Sequence, residues 1–170
     1  KTSSQTYKED SLKITVIAVG KLKEKYLKDG IAEYSKRLSR FCDLNIIEVA
    51  DEQVPESLSS AQEEQVKKKE AERILKNISS GSLLIVLDIK GKKLDSEGFA
   101  SKLQSFFLSG NSNITFVIGG SLGLDGELAR KADFRLSLSD MTFPHQLTRL
   151  ILLEQLFRAF KVINGEAYHK

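Results

Sequence analysis

The sequence predicts an α/β domain, a mostly parallel sheet with helices on both faces, and three observations lead there. Short apolar, β-branched runs alternate along the chain with longer stretches whose apolar residues recur at helical spacing. The runs are apolar nearly throughout rather than at every second position, which suits strands covered on both faces. Glycine or a small polar cluster closes most of them, as at Gly20, Gly119 and Ser139.

Size and composition narrow the rest. At 170 residues one domain over 12–170 is the simplest organisation. Residues 1–11 are polar and lack the apolar core of a signal peptide, so they are expected to be a disordered leader or an expression remnant. Hydrophobic residues make up 41% and charged residues 29%, an ordinary soluble balance, and no apolar run approaches the ~20 residues of a membrane span. With Cys42 as the one cysteine, no disulfide framework or cysteine-rich metal site can form. A cytoplasmic location is the expectation. The 26 basic residues barely outnumber the 23 acidic ones, whereas a free-standing binder of naked nucleic acid is usually more basic. Any RNA target is therefore expected to be composite or defined by shape.

In order, residues 13–20 form the first expected strand, closed by Gly20. Residues 23–41 place Tyr26, Leu27, Ile31, Tyr34 and Leu38 on one helical face, with Gly30 costing about 1 kcal/mol relative to alanine. Residues 44–50 are the second strand, and 51–60, with Pro55 and several serines, a loop. Residues 61–78 are helical, their sparse apolar side marked by Val66, Ile74, Leu75 and Ile78. Lys67, Lys68 and Lys69 resemble a nucleic-acid patch, but Glu63, Glu64, Glu70 and Glu72 interleave with them as helical partners, so a solvated face is expected. Residues 83–88 are a buried strand. Residues 90–93 turn the chain into a helix capped near Asp95 or Ser96, with Phe99, Leu103, Phe106 and Phe107 toward the core. Strand 114–118, a short helix over 125–132, strand 134–138 and a last helix over 144–163 complete the pattern. Pro144 suits a first-turn position in that helix, after Thr142 or Phe143 as cap.

In an open parallel sheet the ligand lies outside the carboxyl ends of the strands, which directs attention to the loops after Leu87, Ile118 and Leu138. They read DIKG at 88–91, GGSLG at 119–123 and SDMTFP at 139–144. Glycine permits tight turns, and it also lets backbone N–H and C=O groups approach a ligand closely. One such loop is ordinary; three at one sheet edge favour a site. Neither G-x-G-x-x-G nor G-x-x-x-x-G-K-[ST] occurs, so a phosphate-rich nucleotide is not expected.

His145 and Arg149 lie one turn apart on the last helix, on a face shared with Leu153, Leu156 and Phe160. They would suit a carboxylate or phosphate; equally, His145 would help cap the helix and Arg149 pair with a structural Asp or Glu. Glu154 and Arg158, four apart, have the spacing of a surface pair. Leu147, Leu150, Ile151, Leu152 and Phe157 extend the apolar character around the helix. Either a homodimer interface or burial as a central core helix accounts for that.

From residue 13 to residue 170 the sequence resembles the large-subunit ribosomal RNA methyltransferase H family, the pseudouridine-N3 methyltransferases of the SPOUT class. The resemblance is carried by ITVIAVGK at 14–21, FVIGG at 116–120, LSLSDMTFPHQ at 136–146 and GEAYHK at 165–170. It implies a single SPOUT domain with a C-terminal trefoil knot, an exception to unknotted topology. It further implies S-adenosylmethionine as methyl donor, held at Leu87, Gly119, Gly120, Leu138, Ser139, Asp140, Met141, Thr142 and Phe143. A homodimer with its active site near the subunit interface follows in the same way, as does a pseudouridine of 23S rRNA in the assembled ribosome as substrate. His145, Arg149, Tyr168 and His169 are then expected near the target base, with Arg158 and Lys170 as phosphate contacts. No metal is implied. The alternative to an enzyme is a noncatalytic ribosome-associated knotted protein that binds S-adenosylmethionine or a related adenosine ligand.

Overall fold

The computed structural model describes residues 12–167. The leader expected over 1–11 and the roles expected of Tyr168, His169 and Lys170 lie outside the described residues. The elements alternate as β1 (Lys13–Val19), α1 (Lys25–Leu38), β2 (Asp43–Val49), α2 (Ser60–Leu75), β3 (Leu83–Lys93), α3 (Ser96–Leu108), β4 (Asn113–Ile118), α4 (Gly126–Lys131), β5 (Phe134–Ser137) and α5 (His145–Ile163). The strands form one five-stranded sheet in the order β2-β1-β4-β3-β5, and every pairing is parallel. Among the described residues, no helix is long and apolar enough to cross a membrane.

Strand alternation builds two cores from one sheet. Ile14, Val16 and Ala18 of β1, with Ile114, Phe116 and Ile118 of β4, join residues of α1, α3 and α5 in the larger cluster. Their neighbours Ile17, Val19 and Val117 face the other way, against Ala71 and Ile74 of α2 and Leu128 of α4. Central strands thus bury both faces, which is why their sequences are continuously apolar. Each fully buried aliphatic or aromatic side chain contributes about 1.5–3 kcal/mol.

The helix starts follow local chemistry. Ser59 and Gln62 form a reciprocal capping box at α2, Asp95 accepts a hydrogen bond from Gly98 N at α3, and Asp125 accepts from Glu127 N and Leu128 N at α4. At α5 the expectation needs correction. Pro144 is the N-cap itself, because its ψ of 136° is extended, and the helix begins at His145. A second correction concerns 90–93, expected as a turn. Lys92 and Lys93 continue β3, pairing with Leu136 and Ser137 after residues 88–91 bulge from the ladder.

Helix α5 packs against both α1 and α3. Leu152, Leu153, Leu156, Ala159 and Phe160 are buried there, and Phe160 stacks on Phe41 and Phe107 at centroid distances of 5.3 and 5.9 Å. Leu150 and Phe157 pack at the margin of the same core. Burial between two neighbours therefore accounts for much of the helix's apolar circumference within one chain, while Leu147 and Ile151 stay half-buried.

Candidate functional site

The carboxyl ends of β3, β4 and β5 open onto a cavity of about 170 Å³. Its walls include Leu87, Ile118, Gly119, Gly120, Leu138, Ser139, Met141, Thr142, Phe143 and His145, so most of the residues singled out from the sequence meet around one space. Asp88, Ile89, Gly123, Leu124, Leu136, Ser137 and Thr148 complete it. Thr148 was not anticipated, although its place one turn after His145 was available from helical spacing. Two expected members stand apart. Asp140 turns outward to pair with Lys93, and Arg149 is buried elsewhere.

Each wall has a local cause. Loop 119–123 folds on itself, with Gly123 N donating to Gly120 O at 3.0 Å. A Cβ on Gly119 would lie 2.9 Å from the carbonyl carbon of Gly123, so the tight turn requires glycine there. In the next wall, Ser139 Oγ accepts from Met141 N at 3.0 Å and Ser137 Oγ donates to Ser139 O at 3.2 Å, a small side-chain-braced turn. Asp88 Oδ1 accepts from Lys90 N, and Arg135 donates Nε to Asp88 Oδ2 at 3.0 Å. Burial works to raise the Asp88 pKa, but the Lys90 N–H and the Arg135 guanidinium outweigh it and hold the carboxyl below its ordinary value.

The first turn of α5 is lashed to the segment after β1. Gln146 Nε2 donates to Lys21 O, and Gln146 Oε1 accepts from Lys23 N. Arg149 follows the second of its two expectations, pairing with a structural acid rather than standing open to a target base. It is 2% exposed, and donates to Glu48 Oε2 at 2.6 Å, Gly20 O at 2.7 Å and Val19 O at 3.0 Å. The parallel sheet brings the end of β1 under α5, so the guanidinium satisfies carbonyls that no neighbouring strand reaches. Half-buried His145 has its pKa lowered by burial and then by the charges of Arg149 and Lys23, against an opposing pull from Asp51. Its imidazole is neutral at neutral pH and able to accept a proton.

Arg158 holds Glu154 Oε1 through Nε and Nη2, at 3.2 and 2.6 Å, and both side chains are half-buried rather than on an open surface. Among the described residues, no group of three or more His, Cys, Asp or Glu side chains is placed to hold a metal ion.

A parallel sheet whose strand ends open onto a cavity, walled by a glycine turn and a serine-braced loop, has the architecture of open α/β proteins, in which ligands lie outside the carboxyl ends of the strands. A family model described as "Predicted SPOUT methyltransferase" matches residues 12–169. The ribosomal RNA large subunit methyltransferase H of Acetivibrio thermocellus is 69% identical over 159 residues, 94% of this chain and 100% of that protein. The protein of the same name from Ruminiclostridium cellulolyticum is 63% identical over the same shares. A solved structure of a probable methylase family protein from Haemophilus influenzae shares the fold, with a TM-score of 0.52 at 18% identity over 95% of this chain and 71% of that one. The chain belongs to the ribosomal RNA large subunit methyltransferase H family of SPOUT methyltransferases.

Proposed function

We propose that the protein transfers the methyl group of S-adenosylmethionine to N3 of a pseudouridine in 23S rRNA of the assembled ribosome, acting as a homodimer in the cytoplasm. The observation that carries the cofactor reading is the chemistry of the cavity wall. Among the described residues it contains no Lys or Arg, and its ionisable members there are Asp88 and His145. Such a wall suits an adenosine carrying a sulfonium cation better than a polyphosphate, to which its described side chains bring no positive charge. The residues present therefore fit S-adenosylmethionine, with peptide groups of Gly119, Gly120 and the 138–143 loop as its holders and Leu87, Ile118 and Leu138 as apolar walls.

A volume of about 170 Å³ is below the roughly 300–1,000 Å³ of sites that enclose a ligand. In this reading the partner subunit and the RNA complete the enclosure, and the C-terminal trefoil knot gathers the three loops. Leu147 and Ile151, half-buried on α5, support a surface for the second copy.

S-adenosylmethionine supplies an activated methyl group, so the chain's own work is orientation and the handling of one proton. Neutral His145 on the cavity wall is suited to accept a proton from the base. Tyr168 and His169 are assigned to the target base, and Lys170 to phosphate, by resemblance to the family. Arg149 serves instead to hold α5 against the end of β1. The ribosomal target follows the name borne by the relatives, and family membership favours the enzyme over a noncatalytic ribosome-associated protein. Calorimetry with S-adenosylmethionine and mass mapping of rRNA from a deletion strain test the reading. Binding, and loss of one methyl group from one pseudouridine, are expected; no heat of binding or unchanged rRNA mass would sink it.

A further inference from the structure

Glu70 has no place in the methyl-transfer reading, and its surroundings are unusual. The lysine-rich stretch of α2 marked it as one more exposed partner, yet the residue is only 6% exposed and turned toward the sheet. Burying a carboxylate is costly unless partners replace its water. Glu70 Oε2 accepts a hydrogen bond from the backbone N–H of Glu52 at 3.1 Å. Arg73, one turn on, aims its guanidinium at Ala50 O and Glu52 Oε1. Burial pushes the Glu70 pKa upward, against the opposing pull of the Glu52 N–H and of the Arg73 charge, and Asp51 adds to the rise. A buried carboxylate whose burial outweighs its partners is a candidate for a functional constraint.

The other oxygen of Glu70 shows what that constraint is. A Cβ placed on Gly120 would lie 3.2 Å from Glu70 Oε1 and 3.1 Å from Val19 Cγ1. Glu70 and Val19 therefore stand against Gly120, which itself lines the cavity. Glu70 itself is not part of the cavity lining. Through Oε2 the same carboxyl group fixes Glu52, next to Asp51, which acts electrostatically on His145. One side chain thus braces the glycine turn on one side and the loop after β2 on the other.

We propose that Glu70 is a positioning residue. Its carboxyl group sets the depth of the Gly119-Gly120 turn and ties that turn to the 50–52 loop, so that the peptide groups of the turn are held ready for the methyl donor. This rests on the S-adenosylmethionine reading above and adds to it a residue that touches neither cofactor nor substrate.

The test uses the full chain, with calorimetric affinity for S-adenosylmethionine, KM and kcat on ribosomes, and melting temperature without ligand. Glu70→Ala is expected to weaken binding and raise the KM for S-adenosylmethionine about tenfold, as a sub-ångström displacement of binding groups does, with a smaller change in kcat. Glu70→Gln keeps an oxygen that accepts from Glu52 N–H, and is expected to restore most of the affinity. Gly120→Ala presses a methyl group against the carboxylate and should weaken binding on its own. Adding Glu70→Ala to it makes room and should recover part of the loss, a non-additivity expected only of groups in contact. If Glu70→Ala does not fold, the Gly120→Ala and Glu70→Gln variants decide alone. Variants that melt lower but bind S-adenosylmethionine as wild type would overturn the inference and leave the function standing. Wild-type protein that binds no S-adenosylmethionine would overturn both.

Discussion

Replacing Arg149 with methionine removes three hydrogen bonds while keeping much of the side chain's volume. The guanidinium is 2% exposed and serves Glu48, Val19 and Gly20 together. Breaking a buried ion pair costs about 3–5 kcal/mol, because the remaining partner stays without compensation. Here the Glu48 side chain is 37% exposed and still accepts from Leu22 N, so water and that bond take up part of the loss. Arg149 Nε also has no partner, so the substitution relieves a desolvated N–H as well. Both considerations place the expected loss at the lower end, about 3 kcal/mol. For a chain of this size that corresponds to a fall in Tm of roughly 6–12 °C. Urea titration followed by two independent probes measures the loss and checks two-state behaviour. The same variant removes a positive charge that holds the His145 pKa down, so NMR titration of His145 should move toward the ordinary histidine range. Arg149→Lys should recover only part of the stability, since a point charge cannot reach two carbonyls and a carboxylate at once. A loss under about 1 kcal/mol, the size of a single ordinary hydrogen bond, together with an unmoved His145 titration would refute the role given to this residue.

The other expectations are independent of that one. S-adenosylmethionine at a hundred times its Kd should stabilise the wild type by about 2.7 kcal/mol, and Gly119→Arg, which drives a side chain into Gly123, should abolish the shift in a thermal melt. Because the folded His145 pKa is lowered, its contribution to stability is fully present above about 6.5 and is lost as pH falls through the folded value; urea titrations from pH 7.5 to pH 5 should show this slope diminished in His145→Gln. Deleting residues 168–170 should leave S-adenosylmethionine affinity intact and abolish methylation of ribosomes, and retained methylation would remove the tail from the substrate site.

Much of this protein was legible from one-dimensional pattern. Strand and helix identity followed from apolar period, because a strand buried on both faces and a helix buried on one leave different traces. The glycine pair after Ile118 and the loop after Leu138 stood out because turns of that tightness restrict residue choice. The cavity at the strand ends was legible as well, since strand ends in a parallel sheet converge wherever the strands are neighbours. Side-chain direction on a helix was less so. Pairing with a structural acid was one of two readings for Arg149, but nothing in the pattern named that acid, and the interleaved charges of α2 placed Glu70 on a solvated face. Whether a charged group turns inward depends on what lies across from it, and that is set by which strands and loops the sheet brings beside the helix. For Arg149 it is the bare carbonyl end of β1; for Glu70 it is the backbone of Glu52 and the hydrogen-only face of Gly120. The sequence by itself determined the elements, their order and the loops that make the cradle, because those depend on local period and backbone freedom. Only the tertiary structure decided which polar side chains brace the cradle from behind and which face its interior, because that depends on contacts between residues as far apart as Val19 and Arg149.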